Sequence, residues 1–223
     1  MIPSKCFPSR RNFLKAGAAL TTGISGLNFL SPSAYSDDAD LGIIGPRKGY
    51  SPEIGTLTSM MAFMRSQVLD SVEGMSQQDL DFLLDAKANR IGALLMHLAA
   101  VETFYQLNTF EGVNPEKLPK EFKEKWGVPQ ELGDPARDAI KGHSLAFYLN
   151  ILHETRDKTL SEFRKRDDKW LAAVDKTWLP AARHEWGWNN HCKWFHVTEH
   201  EANHNGQIKL LKSRLPGAKP ANG

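Results

Sequence analysis

Between Ser51 and Pro216, apolar side chains recur every three or four residues in four separate stretches, the spacing of one face of an α-helix. In the first stretch Ile54, Leu57, Met61, Met64 and Val68 share a face. Ser51-Pro52-Glu53 supplies an N-cap, a proline at the first helical position and an acid in the first turn, so a helix over residues 52–72 is predicted, with Gly74 past its end. Ser76-Gln77-Gln78-Asp79 opens a short helical connection reaching Lys87. Asn89 stands as the cap of a second helix through Ile91, Leu94, Leu98, Val101 and Phe104 or Tyr105, ending before Gly112. Residues 111–138, rich in Lys, Glu, Gly and Pro, read as a long loop. Ser144 caps a third helix through Leu145, Leu149, Leu152, Leu160 and Phe163, and the charged run 164–169 reads as its solvated end. The Trp-rich segment 170–188, broken by Pro180 and Gly187, reads as a loop with a short helix or hairpin. A last helix starts at Asn189 or Asn190 and runs to Arg214, stopped by Leu215-Pro216-Gly217. Four helices of about twenty residues without strand-like alternation predict an all-α four-helix bundle over residues 51–216.

The first thirty-six residues do not share this pattern. They carry Lys5, Arg10, Arg11 and Lys15 and no acid, then a weakly apolar run rich in Gly, Ala and Thr from Ala16 to Leu30. Ser9-Arg10-Arg11-Asn12-Phe13-Leu14-Lys15 resembles a twin-arginine export signal, and Ala34-Tyr35-Ser36 offers the small residues of a cleavage site after Ser36 or Ala34. The run is too short to span a bilayer, which takes about 20 residues. The resemblance implies that the twin-arginine translocase carries the folded chain to the periplasm or beyond. Residues 37–50 then form a polar linker and 217–223 a tail.

Composition narrows the functional classes. The 223 residues hold 28 Lys+Arg against 26 Asp+Glu, and removing the leader leaves a net charge of −2. Nothing there drives binding to nucleic acid, which needs a clustered basic face. Cys6 leaves with the leader, so Cys192 is the mature chain's lone thiol and no internal disulfide can form. A lone Cys is most often a small apolar packing residue. Of the six Trp residues, the four from Trp178 to Trp194 either line a pocket mouth or pack that segment.

The placement of the histidines carries the chemistry. His196, His200 and His204 are spaced four apart and form one stripe along the last helix. An H-x-x-x-H pair is the minimal way for a helix to offer two imidazoles to one metal ion, and a catalytic site usually has three protein ligands with one position open. His97, on the apolar face of the second helix between Leu94 and Val101, is the best candidate for a third, although a lone His on such a face also serves as a hydrogen-bonded core residue.

Asn89 to Glu102, with His97 inside it, and His196-Val197-Thr198-Glu199-His200-Glu201-Ala202-Asn203-His204-Asn205-Gly206-Gln207-Ile208 resemble the second-helix and last-helix signatures of the DinB-like superfamily. The resemblance implies an up-down-down-up bundle holding a divalent metal, nickel, zinc or iron, on His97, His200 and His204. Where that family commonly has Arg after the last ligand, this chain has Asn205. His196 is left as an alternative ligand, a proton shuttle or a polar core residue. Glu102, Glu201, Tyr105 and Gln207 are candidates for orienting the imidazoles, since ligating rings usually donate their other N–H to a carboxylate or carbonyl.

Known members of the superfamily include bacillithiol- and mycothiol-dependent transferases and isomerases. The resemblance thus implies a metal-dependent enzyme acting on a small molecule, by metal-assisted hydrolysis or thiol transfer. The alternatives are a non-catalytic metal-binding or stress-related bundle and a homodimer whose histidines bind metal adventitiously. His200-Glu201-Ala202-Asn203-His204 also matches the H-E-x-x-H zinc-protease helix, with Glu201 as base. That reading lacks a downstream ligand, because residues 205–223 contain no His, Asp or Glu.

Overall fold

The computed structural model describes residues 41–175 and 187–219. The leader, Trp178, Trp186 and the last four tail residues lie outside the described residues. Helices α1 (Pro52–Val72), α3 (Ile91–Phe110), α6 (Leu145–Phe163) and α8 (Asn190–Lys212) are the four long elements. Short helices α2 (Gln77–Leu80), α4 (Lys120–Glu131), α5 (Gly133–Ala139) and α7 (Asp168–Ala172) lie between them, and β1 (Val174–Asp175) pairs antiparallel with β2 (Trp188–Asn189).

Cross-helix hydrogen bonds give the direction of each long helix. Ser71 and Asn205 join α1 to α8 near the C-terminal halves of both, and Lys212 Nζ donates to the Ser71 carbonyl, so these two run parallel. Gly92 meets Tyr148 near the start of α3 and α6, and Gln106 reaches Thr159 near their ends, so this pair is also parallel. Helix α3 runs against α8, because His97 meets His200 whereas Asn108 meets Lys193. The order is up-down-down-up. Gly92 permits the α3–α6 approach: a Cβ there would lie 2.7 Å from Tyr148 Cζ.

Two apolar clusters fill the bundle. One contains Ile54, Leu57, Met61, Tyr105, Phe163 and Trp194; the other contains Val68, Leu94, Leu98, Leu152, Ile208 and Leu211. Between them lie four charged side chains, one from each long helix: Arg65, Glu102, Arg156 and Glu201, with at most 2% of any residue exposed. Arg65 donates to both carboxylates and to the Leu152 carbonyl. Arg156 donates to Glu102 at 2.7 Å, to Glu201 at 2.7 Å and to the Met61 carbonyl. Thr159 Oγ1 also donates to Glu102. Buried charge of this density is tolerated only when paired and hydrogen-bonded, and all four groups are paired, with Glu201 Oε2 the one atom of the cluster that has no hydrogen-bond partner among the described residues.

Several boundaries differ from the sequence reading for identifiable reasons. Helix α1 spans the predicted residues, but Arg65 and not Met64 takes the inward position, because its guanidinium finds two carboxylates there. Its N-terminus is capped by Asp168, which accepts from Ser51 Oγ and from the Glu53 and Ile54 amides, so the supposed solvated run holds a structural cap. The connection opened by Ser76 is helical only to Leu80. Arg90, not Asn89, is the N-cap residue of α3. The expected loop 111–138 contains α4 and α5; Phe122 and Trp126 of α4 are held on the α3 cluster by packing that local composition does not reveal. Helix α8 ends at Lys212 rather than Arg214.

Burial alone would raise the Glu102 pKa, but Arg156 and Arg65 beside it hold the carboxyl below its ordinary value. The stability it contributes is therefore complete above the unfolded carboxyl pKa of about 4.3 and is lost as pH falls through the folded value. Arg156→Met leaves both glutamates short of a partner and is expected to cost about 3–5 kcal/mol at neutral pH, read from the urea midpoint.

Candidate metal centre

His97 points from α3, and His200 and His204 from successive turns of α8, toward one place. One ligand nitrogen from each lies within 4.8 Å of the others. His97 Nε2 and His204 Nε2 each stand 3.1 Å from His200 Nε2. Their far nitrogens are engaged: His97 Nδ1 lies 2.8 Å from the Pro129 carbonyl oxygen and His204 Nδ1 3.2 Å from Gln207 Oε1. A carbonyl oxygen only accepts, so both Nδ1 atoms carry the proton and both Nε2 atoms present lone pairs.

Burial lowers the pKa of all three. It takes His97 to about 4, outweighing the Pro129 carbonyl, and with His204 and His97 as neighbours it takes His200 to about 3. Burial likewise lowers His204. At neutral pH these are three uncharged imidazoles, and the single Nε2 proton available on His200 can satisfy only one of its two neighbours. Converging lone pairs at 3.1 Å are stabilised by a shared cation. Tetrahedral coordination at 2.0–2.1 Å sets neighbouring nitrogens about 3.3 Å apart, close to the observed spacing. The donor set therefore fits a divalent ion that favours nitrogen ligands.

The other predicted residues divide clearly. Gln207 orients His204 as expected. Glu102 and Glu201 do not orient the imidazoles; both are turned into the central charge cluster, where two guanidiniums offer stronger partners. Glu201 is thereby removed as the base of an H-E-x-x-H protease. His196 lies outside the cluster of three, its ring 5.5 Å from that of His200, and its Nδ1 is 3.0 Å from Glu199 Oε2. Tyr105 packs edge-on against His196 at 6.0 Å, and burial, with Cys192 nearby, pushes its phenol pKa up, so it stays protonated. Burial also raises the Cys192 thiol, the opposite of an activated nucleophile. Trp194 is wholly buried and stacks on Phe110, which is packing, whereas Trp188 lies 5.9 Å from His196. Asn205 is buried and accepts from Ser71, a structural tie between α8 and α1. The sequence reading missed Pro129, whose carbonyl faces His97 from α4. The aromatic spacing of Phe122 and Trp126 was the available signal for that helix.

The profile of the family described as Mycothiol-S-transferase matches residues 56–217. Among solved structures, the chain is similar to "Crystal structure of the conserved protein of locus from Enterococcus faecalis", with 14% identity and a TM-score of 0.53, over 71% of this chain and 94% of that one. At that identity the likeness concerns the fold. No curated protein matches the chain.

A base whose folded pKa is depressed stabilises the fold above its unfolded pKa, and that stability is lost as pH falls. The unfolded imidazoles take up protons near pH 6.5, whereas folded His97 and His200 resist to about 4 and about 3. The metal-free protein is therefore expected to lose thermal stability steadily from pH 6.5 to 4.5. His200→Phe flattens that part of the Tm-against-pH curve.

Proposed function

The chain belongs to the Mycothiol-S-transferase family, and on that footing we propose that it is a DinB-like, metal-dependent thiol transferase whose divalent ion is held by His97, His200 and His204. The observation that carries this reading is the convergence of three neutral imidazole nitrogens, two of them fixed as lone-pair donors by bonds on the far side of their rings. A divalent ion there supplies Lewis acidity, lowering the pKa of a thiol or water brought to it.

The protein's own part is orientation and proton transfer. Pro129 and Gln207 fix two rings, and the buried Tyr105, itself packed on Trp194, meets the His196 ring edge-on. His196 is the proton acceptor in this reading. The Glu199 carboxylate accepts from its Nδ1–H, so the lone pair is on Nε2, the arrangement a general base needs. The acceptor substrate is a small electrophile: as its carbon–sulfur bond forms, the thiol proton passes to His196 and the acceptor's leaving group departs with its bonding electron pair.

The Arg10-Arg11 leader supports export to the periplasm by the twin-arginine translocase. It also favours a second reading, because an exported chain is separated from the cytoplasmic thiol pool. In that reading water replaces the thiol and the same residues support hydrolysis.

The mature chain is expected to bind one zinc or nickel ion. His97→Ala and His204→Ala abolish it by elemental analysis, whereas His196→Gln keeps the metal and loses about 100-fold in kcat with mycothiol and an electrophilic acceptor. Retention of one ion per chain in both His97→Ala and His204→Ala contradicts the proposal. Replacing Arg10 and Arg11 together by Lys is expected to leave the precursor in the cytoplasm, read by cell fractionation.

A further inference from the structure

Residue 132 is the one non-glycine among the described residues with a positive φ. Leu132 sits at φ 58°, ψ −149°, between α4 and α5, a conformation that costs an L-residue about 1–3 kcal/mol and persists only where the surroundings enforce it. Its side chain packs on the apolar cluster around α3, and its N–H makes the last helical bond of α4, to the Val128 carbonyl.

The turn has a consequence one residue further on. In a continuing helix the Gly133 N–H bonds the Pro129 carbonyl, four residues back. Here the Gly133 N–H points instead to Asn89 Oδ1 at 3.2 Å, and the Pro129 carbonyl accepts from His97 Nδ1 at 2.8 Å. Asn89 is held in place by reciprocal bonds between its segment and α5: Arg90 Nε donates to the Arg137 carbonyl, and Arg137 Nη1 donates to the Lys87 and Ala88 carbonyls. The residue that sequence spacing suggested as a helix cap thus serves α5 and not α3.

We propose that Asn89 is a positioning residue for the histidine cluster: by taking the Gly133 N–H it leaves the Pro129 carbonyl to His97 and so holds His97 as its Nδ1–H tautomer, with Nε2 facing His200. The metal-binding consequence rests on the function proposed above; the tautomer does not. Asn89→Ala removes the acceptor of the Gly133 N–H, so the left-handed turn at Leu132 relaxes toward helix and carries the Pro129 carbonyl round to the Gly133 N–H and off the His97 ring.

The test is a long-range 1H–15N spectrum of the imidazoles in the metal-free full chain, followed by titration with zinc alone. Wild type is expected to show His97 as a single Nδ1–H tautomer. Asn89→Ala and the similarly sized but acceptor-less Asn89→Leu are expected to show a mixture with Nε2–H, and to bind zinc at least about tenfold more weakly. Asn89→Asp, which keeps an acceptor oxygen, restores both readouts. Wild-type tautomer and zinc affinity in Asn89→Ala and Asn89→Leu overturn the proposal, as does failure of Asn89→Asp to rescue. In the same titration, zinc binding untouched by His97→Ala defeats the three-histidine site while the tautomer still decides the role of Asn89.

Discussion

Two arginines and two glutamates buried at the centre of the bundle constrain everything around them. Each long helix contributes one of the four, and every helix is therefore tied in rotation and in height to the others. An apolar core tolerates a small rotation or slip of one helix because apolar contacts are non-directional, but a buried guanidinium left facing hydrocarbon costs several kcal/mol. The two hydrophobic clusters lie on either side of this layer, so it also divides the core. The histidine cluster depends on it through adjacency. Glu201 sits between His200 and His204 in sequence, and fixing it to Arg65 and Arg156 aims the two imidazoles about 60–100° round the helix, toward α3 and α4.

The excursion between α3 and α6 completes the site. Helix α4 lies on α3 through Phe122 and Trp126, and its final turn brings a backbone carbonyl to the back of His97. A carbonyl in that place, where a carboxylate is common around ligating histidines, orients the ring without adding charge. The acidic residues close by in sequence, Glu102 and Glu201, are spent on the arginines, so the three imidazoles face one another as neutral donors. Negative charge reaches the neighbourhood at His196, through Glu199, on the exposed side of α8. In the function proposed above, proton transfer and metal binding fall on different turns of one helix.

Much of this was legible in the sequence where the signal is local. Pro52 and Gly74 punctuate α1, and Ser144 caps α6 by accepting from the Phe147 amide, so those boundaries follow from residue chemistry. The H-x-x-x-H spacing narrowed the last helix to His196, His200 and His204 and the apolar face of the second offered His97, while the resemblance to the DinB-like signatures chose His97, His200 and His204, the three that converge. What escaped is non-local. Helix α4 contains Gly127 and Pro129 and few apolar residues, so only its contact with α3 sustains it. Arg65 stands four residues after Met61 and three before Val68, a core position, but its partners come from α3 and α8 and no spacing within α1 names them. Glu201 was misleading for the same reason: its place in H-E-x-x-H suggests a base at the metal, and only the other helices show that it faces the arginines.

The most direct measurement of the central claim is X-ray absorption at the metal edge of the zinc-loaded full chain. Three imidazole nitrogens at about 2.0–2.1 Å, with the outer-shell pattern of rigid rings and one further light ligand, is the predicted first shell. A shell containing sulfur at about 2.3 Å from Cys192, or one built of carboxylate oxygens with fewer than three imidazoles, contradicts the account.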